Sequence, residues 1–147
     1  MTDFNQKLVA LAMATLRADG KVDLSELGTV KRIAADLEFP VSETEKLIQE
    51  EQEKQSQCSN IKDYIASVSN QVGNPEEKQL IMEACIQVAL ADKKLDTKEV
   101  SLLLEICRAL DCNLAKMICT IAIFAQNDRD IKIEGNDADF TEELVEE

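Results

Sequence analysis

Shifted by 73 residues along itself, the chain matches its own sequence without a gap, residues 8–44 lying on residues 81–117. Identical pairs are Ala18/Ala91, Asp19/Asp92, Lys21/Lys94, Asp23/Asp96, Glu26/Glu99, Ile33/Ile106 and Leu37/Leu110. Apolar pairs such as Leu8/Ile81, Met13/Ile86, Val22/Leu95 and Val30/Leu103 fill the positions between them. The apolar positions recur at helical spacing, so the repeated unit reads as a helix, a short loop and a second helix. A chain of this kind must bury the stripes of both copies together.

The rest of the sequence agrees. Aromatic residues make up only 3% and Gly and Pro number four and two, so Ala, Leu, Ile and Val must build the core, a balance that favours helices. We expect an all-α fold, a compact bundle of about seven helices built from two related helix–loop–helix units. Helix one opens at Asp3 with Gln6 three residues on and shows Phe4, Leu8, Leu11 and Thr15 on one face. Helix two covers 24–37 and is stopped by Pro40. Helix three opens on a Ser42/Glu45 capping box and, with few apolar positions, is expected to lie mostly exposed. Helix four starts near Asn60 and buries Ile61, Ile65, Val68 and Val72 before a turn at Gly73. Asn74 and Pro75 open helix five (75–91), with helices six (97–110) and seven (114–126) following. These last three are apolar over more than one face and are expected at the centre of the bundle or on a dimer surface.

Charge narrows the partners. A net −13 leaves no basic face for the counterion release that drives nucleic-acid binding, and an anionic membrane is equally unsuited. No apolar run is long enough to span a bilayer and MTDFNQK carries no signal pattern, so a soluble, cytoplasmic protein without direct membrane insertion is expected. Residues 127–147 hold nine acids against Arg129 and Lys132, a net −7; this acidic tail is expected to be disordered or loosely attached, its IKI too short for an independent strand. The domain proper would be 1–126. Five cysteines without a CxxC pair, in a chain without histidine, are poor zinc ligands. Four of them (Cys85, Cys107, Cys112, Cys119) fall in apolar helical context, and Cys85 and Cys107 match Ala12 and Ala34 in the repeat, so reduced core thiols are expected. With no histidine, no glycine-rich phosphate loop and no nucleophile–base pair, we expect no enzyme.

The chemistry of interest lies in the two loops, ADGKVDLSE at 18–26 and ADKKLDTKE at 91–99. An EF-hand register fits Asp19, Gly20, Asp23 and Glu26 but puts Thr15 and Arg17, or Val88 and Leu90, at the first and third ligand positions, so no complete EF-hand exists. Asp23/Glu26 and Asp96/Glu99 have capping-box spacing, which accounts for four of the acids with about 1 kcal/mol per cap. Asp19 and Asp92 are left over, at helix C-terminal ends where a carboxylate is mildly unfavourable. Lys21 and Lys94 could offset them as ion pairs. So could a divalent cation, and an oxygen-only set suits Ca²⁺ or Mg²⁺ rather than Zn²⁺.

The two motifs, each inside an Ala/Leu-rich helix–loop–helix and followed by TVKRIAADLEFP and LLLEICRALDCN, resemble the TerB family of bacterial tellurite-resistance proteins over roughly residues 4–125. The resemblance implies an all-helical fold of two related units and a place in tellurite, phage or chemical stress responses. It also implies protein partners in complexes near the membrane, with related domains in membrane-anchored DnaJ-type co-chaperones. The divalent cation proposed for the family's acidic motif would fall on Asp19, Asp23, Glu26, Asp92, Asp96 and Glu99. In the second loop Lys93 replaces Gly20, which removes a flexible position and adds a charge. Against a metal-binding module docking to partners stands a metal-independent helical adapter, including a homodimer.

Overall fold

The computed structural model describes residues 3–18, 24–91, 94–127 and 132–134. They form seven helices, α1 (Asp3–Leu16), α2 (Leu24–Asp36), α3 (Val41–Ser56), α4 (Ile61–Ser69), α5 (Pro75–Ala89), α6 (Thr97–Ala109) and α7 (Leu114–Asn127), and two short strands, β1 (Lys94–Asp96) and β2 (Lys132–Glu134). The fold class is all-α, as expected. Element bounds recur at the offset of the sequence match: α1 and α5 end at Leu16 and Ala89, α2 and α6 begin at Leu24 and Thr97, α3 and α7 begin at Val41 and Leu114.

The centre of the bundle is α1. Every residue from 8 to 16 is 2% exposed or less, so this helix is covered all round, and its most extensive contacts are with α5 and α3. The single stripe expected for it was too narrow, because Ala10, Ala12 and Ala14 let neighbours approach its remaining faces. Of the helices expected at the centre, α5 is there, contacting α1, α2, α6 and α7. The seventh is peripheral: among its side chains Met117 is buried, while Leu114, Ile118 and Ile123 are 47%, 56% and 55% exposed.

Helix α3 departs from expectation at its start. It starts at Val41 with Pro40 as N-cap and no side-chain cap bond, so the Ser42/Glu45 box is not used. Thr44 instead bonds Pro40 O through both its amide (2.9 Å) and its hydroxyl (3.1 Å). It is mostly exposed, as expected, but Thr44, Leu47, Ile48, Glu51 and Gln55 form a buried row against α1. Three of these are polar, and Thr44, Glu51 and Gln55 each make a side-chain hydrogen bond. Gln55 Nε2 donates to Ala10 O (2.9 Å) and to Glu51 Oε1 (3.2 Å), and the Tyr64 hydroxyl of α4 donates to the same oxygen (2.5 Å). Starts at α4 and α5 are as expected: Asn60 Oδ1 accepts from Lys62 and Asp63 amides, and Asn74 Oδ1 from those of Glu76 and Glu77.

Both α2 and α6 end in the same way. Glu38 and Asp111 take left-handed backbone (φ 66° and 56°), with Phe39 N bonded to Ala34 O and Cys112 N to Cys107 O, each at 2.9 Å. This is the Schellman closure, built here without glycine. The tail also differs from expectation: residues 132–134 are a strand, paired in parallel with β1 in the register Lys94↔Lys132, Leu95↔Ile133 and Asp96↔Glu134. Three residues cannot hold a strand alone, but β1 offers an edge beside them. The rest of the tail, and its expected disorder, lie outside the described residues.

Two measurements follow from these contacts. Asp111→Gly should raise stability by about 0.5 kcal/mol, since relief of left-handed strain slightly exceeds the entropy glycine adds to the unfolded chain. A thermal melt showing loss would contradict the cap assigned to Asp111. Burial and the hydrogen bond to Glu51 raise the Tyr64 pKa, so the phenol holds its proton more tightly in the folded state. Its stabilisation is complete below about pH 10 and is lost as pH rises beyond that. Tyr64→Phe should cost about 1–2 kcal/mol at neutral pH and flatten the alkaline decline, as read by denaturant unfolding.

Candidate functional site

Each acidic loop leads into a helix whose first turn carries a glutamate, Glu26 in α2 and Glu99 in α6. Both are almost completely buried, at 1% and 2% exposure. Such burial is unusual for a carboxylate, because taking its charge out of water costs several kcal/mol unless amide hydrogens, a cation or a proton compensate. The first turn supplies part of that, since its amides and the positive end of the helix dipole favour an anion there. Both side chains are engaged in the fold.

Asp96 lies in β1 and immediately precedes α6, three positions before Glu99, as capping-box spacing requires. Asp19, Asp23 and Asp92 lie outside the described residues, as does the side chain of Asp96. Of the six expected acids, the structure therefore places the two glutamate side chains and the backbone of Asp96. Among the described residues no group of three or more Cys, Asp or Glu is arranged to hold a metal.

The strand pairing adds a residue the motif did not contain: backbone register sets Glu134 of the acidic tail beside Asp96. Neither helical periodicity nor the repeat points to it, because β2 lies beyond the matched segments. The only prior signal is the alternation in IKIE.

The thiols divide by environment. Cys85 and Cys107 are buried at positions matching the buried Ala12 and Ala34, and burial pushes the Cys85 thiol up to about 12. Cys107 Sγ donates to Cys112 O at 3.4 Å. The expectation of a core position fails for Cys119, which is exposed on α7, and Cys112 is only half-buried. A surface position on α7 was hidden because that helix is apolar on its outer face as well.

Glu26→Ala and Glu99→Ala should each cost about 2–3 kcal/mol in denaturant unfolding, because each removes a buried side chain and its bonds. A loss below about 1 kcal/mol, the size expected of a solvated cap, would contradict a structural role for this burial.

No helix among the described residues is long and apolar enough to cross a membrane. The family model described as tellurite resistance protein TerB matches residues 5–120, from α1 into α7 and across both acidic loops. Neither the curated proteins nor the solved structures gave a match. With most of its length matched, the chain belongs to the TerB family.

Proposed function

Starting from membership of the TerB family, we propose that the protein is a non-enzymatic binding module of a tellurite or chemical stress response, acting in the cytoplasm. It holds a divalent cation, Ca²⁺ or Mg²⁺, with Asp19, Asp23 and Glu26 in one unit and Asp92, Asp96 and Glu99 in the other. The domain at 1–126 docks to protein partners in a membrane-associated complex, and the acidic tail at 127–147 stands outside the family match.

The observation that supports this reading is the matched burial of Glu26 and Glu99, 73 positions apart at the same helix turn. A capping glutamate works well in water and needs no burial, whereas a carboxylate that holds a cation loses its hydration by binding. Carboxylates brought together by a short loop repel one another, and a divalent cation removes that repulsion.

The exposed apolar residues of α7, Leu114, Ile118 and Ile123, favour a second reading, a metal-independent adapter that works through this face, as a homodimer or with another protein.

Thermal unfolding of metal-stripped protein during addition of Ca²⁺ or Mg²⁺ separates the two. A cation at 100 times its Kd should add about 2.7 kcal/mol, a rise of roughly 5–10 °C in a domain of this size. Asp19→Asn/Asp92→Asn should lose that rise. If neither protein responds and the variant is as stable as the parent, the cation reading fails and the adapter stands.

A further inference from the structure

Both ends of the turn that closes α6 are cysteines. Cys112 N donates to Cys107 O at 2.9 Å, across a turn in which Asp111 takes left-handed backbone (φ 56°). That bond keeps the two Cα atoms within about 7 Å of each other, inside the reach of a disulfide. A Schellman turn also sets the side chains of these two positions against one another, where an apolar pair usually meets. The Cys107 thiol already points at its partner residue, with Sγ donating to Cys112 O at 3.4 Å. At the end of α2 the matching residues are Ala34 and Phe39, so the turn itself has no need of sulfur.

The two thiols differ in access. Cys107 is 1% exposed, whereas Cys112 is half-buried and belongs to the wall of an open cleft of about 320 Å³ between α5 and α7. Burial raises the Cys112 thiol above its ordinary pKa and Cys107 and Asp111 act in the same direction, while Lys78 and Lys116 of the same wall act against them. A raised thiol carries little thiolate at neutral pH, so exchange at Cys112 is slow and depends on a supplied oxidant. Cys85, whose thiol also feels Cys112, is fully buried on α5 and pushed up to about 12.

We propose that Cys107 and Cys112 form a redox-active dithiol that low-molecular-weight disulfides oxidise, with Cys112 taking the first exchange and Cys107 completing it. The Cys112 thiolate attacks one sulfur of the small disulfide, so that a mixed disulfide forms and one thiolate of the reagent leaves. Cys107 then releases its proton to solvent and its sulfur attacks Cys112 Sγ, which forms the internal bond and expels the second thiolate of the reagent. Two electrons pass from the cysteine pair to the reagent, and the two protons that the cysteines lose are taken up by the two released thiolates. The product ties the last turn of α6 to the residue two before α7. Nothing in this site uses the acidic-loop carboxylates.

The test treats the full reduced chain, in chelator-treated buffer, with hydroxyethyl disulfide, a neutral probe that a chain of net charge −13 does not repel. Remaining thiols are alkylated in denaturant and the chain is cut with trypsin. Cleavage after Arg108 separates the two cysteines, so peptides 99–108 and 109–116 stay together only through the new bond. At the end of the exchange this joined pair should exceed the Cys112 mixed disulfide about tenfold or more, because the turn holds Cys107 against Cys112 while the thiol of the reagent is dilute. The same exchange run in denaturant should show a smaller preference. Cys107→Ala, which places at 107 the residue found at 34, should end as the mixed disulfide at Cys112. Cys112→Ala should slow modification of Cys107 about tenfold or more, since the buried thiol loses its exposed partner. The proposal is overturned by a mixed disulfide that persists on Cys112 of the parent, by a Cys112 that stays a thiol while exposed Cys119 reacts, or by a bond from Cys112 to Cys85 instead. It is equally overturned by a preference that denaturant leaves unchanged, or by a Cys107 that reacts as fast without Cys112.

Discussion

The fold depends on covering α1 from every side. Its buried run includes Leu8, Val9, Leu11, Met13 and Leu16, and each such side chain contributes about 1.5–3 kcal/mol when fully withdrawn from water. Five of them reach on the order of 10 kcal/mol, as large as the whole net stability of an ordinary domain, even before allowance for a compact unfolded state. One neighbour cannot cover such a helix, and α2, α3, α4, α5 and α6 all make contact with it. The positions of those five helices are consequences of that requirement.

What could be read in advance follows from how far each determinant acts along the chain. The caps at Asn60 and Asn74 were legible because each asparagine oxygen meets amides two and three residues on. The buried row on α3 was not, because the Gln55 amide donates to a carbonyl 45 residues away and Glu51 accepts from a tyrosine 13 residues on. Polar residues with distant partners look like a solvated face in the sequence. β2 was missed for the same reason, since its partner strand is in the loop before α6. At the candidate site the identity Glu26/Glu99 was visible as a repeat, but burial is a property of the surrounding helices and carries no local signal.

The two matched segments differ around their acidic loops and at their C-caps. At the C-cap contact the first unit carries Ala34 and Phe39 where the second carries Cys107 and Cys112. The second unit also has Lys93 for Gly20 and has the tail strand alongside its loop. The two acidic loops therefore do not have equivalent surroundings.

The parallel pairing of β1 with β2 has a topological consequence for α7. With so little of its surface buried, that helix would ordinarily be the first to fray, peeling from its C-terminal end. Instead the chain leaves α7 and is fastened to the strand that precedes α6, which closes α6 and α7 into a loop clamped at its base. Detaching the outer helix from that end therefore means unzipping the clamp as well.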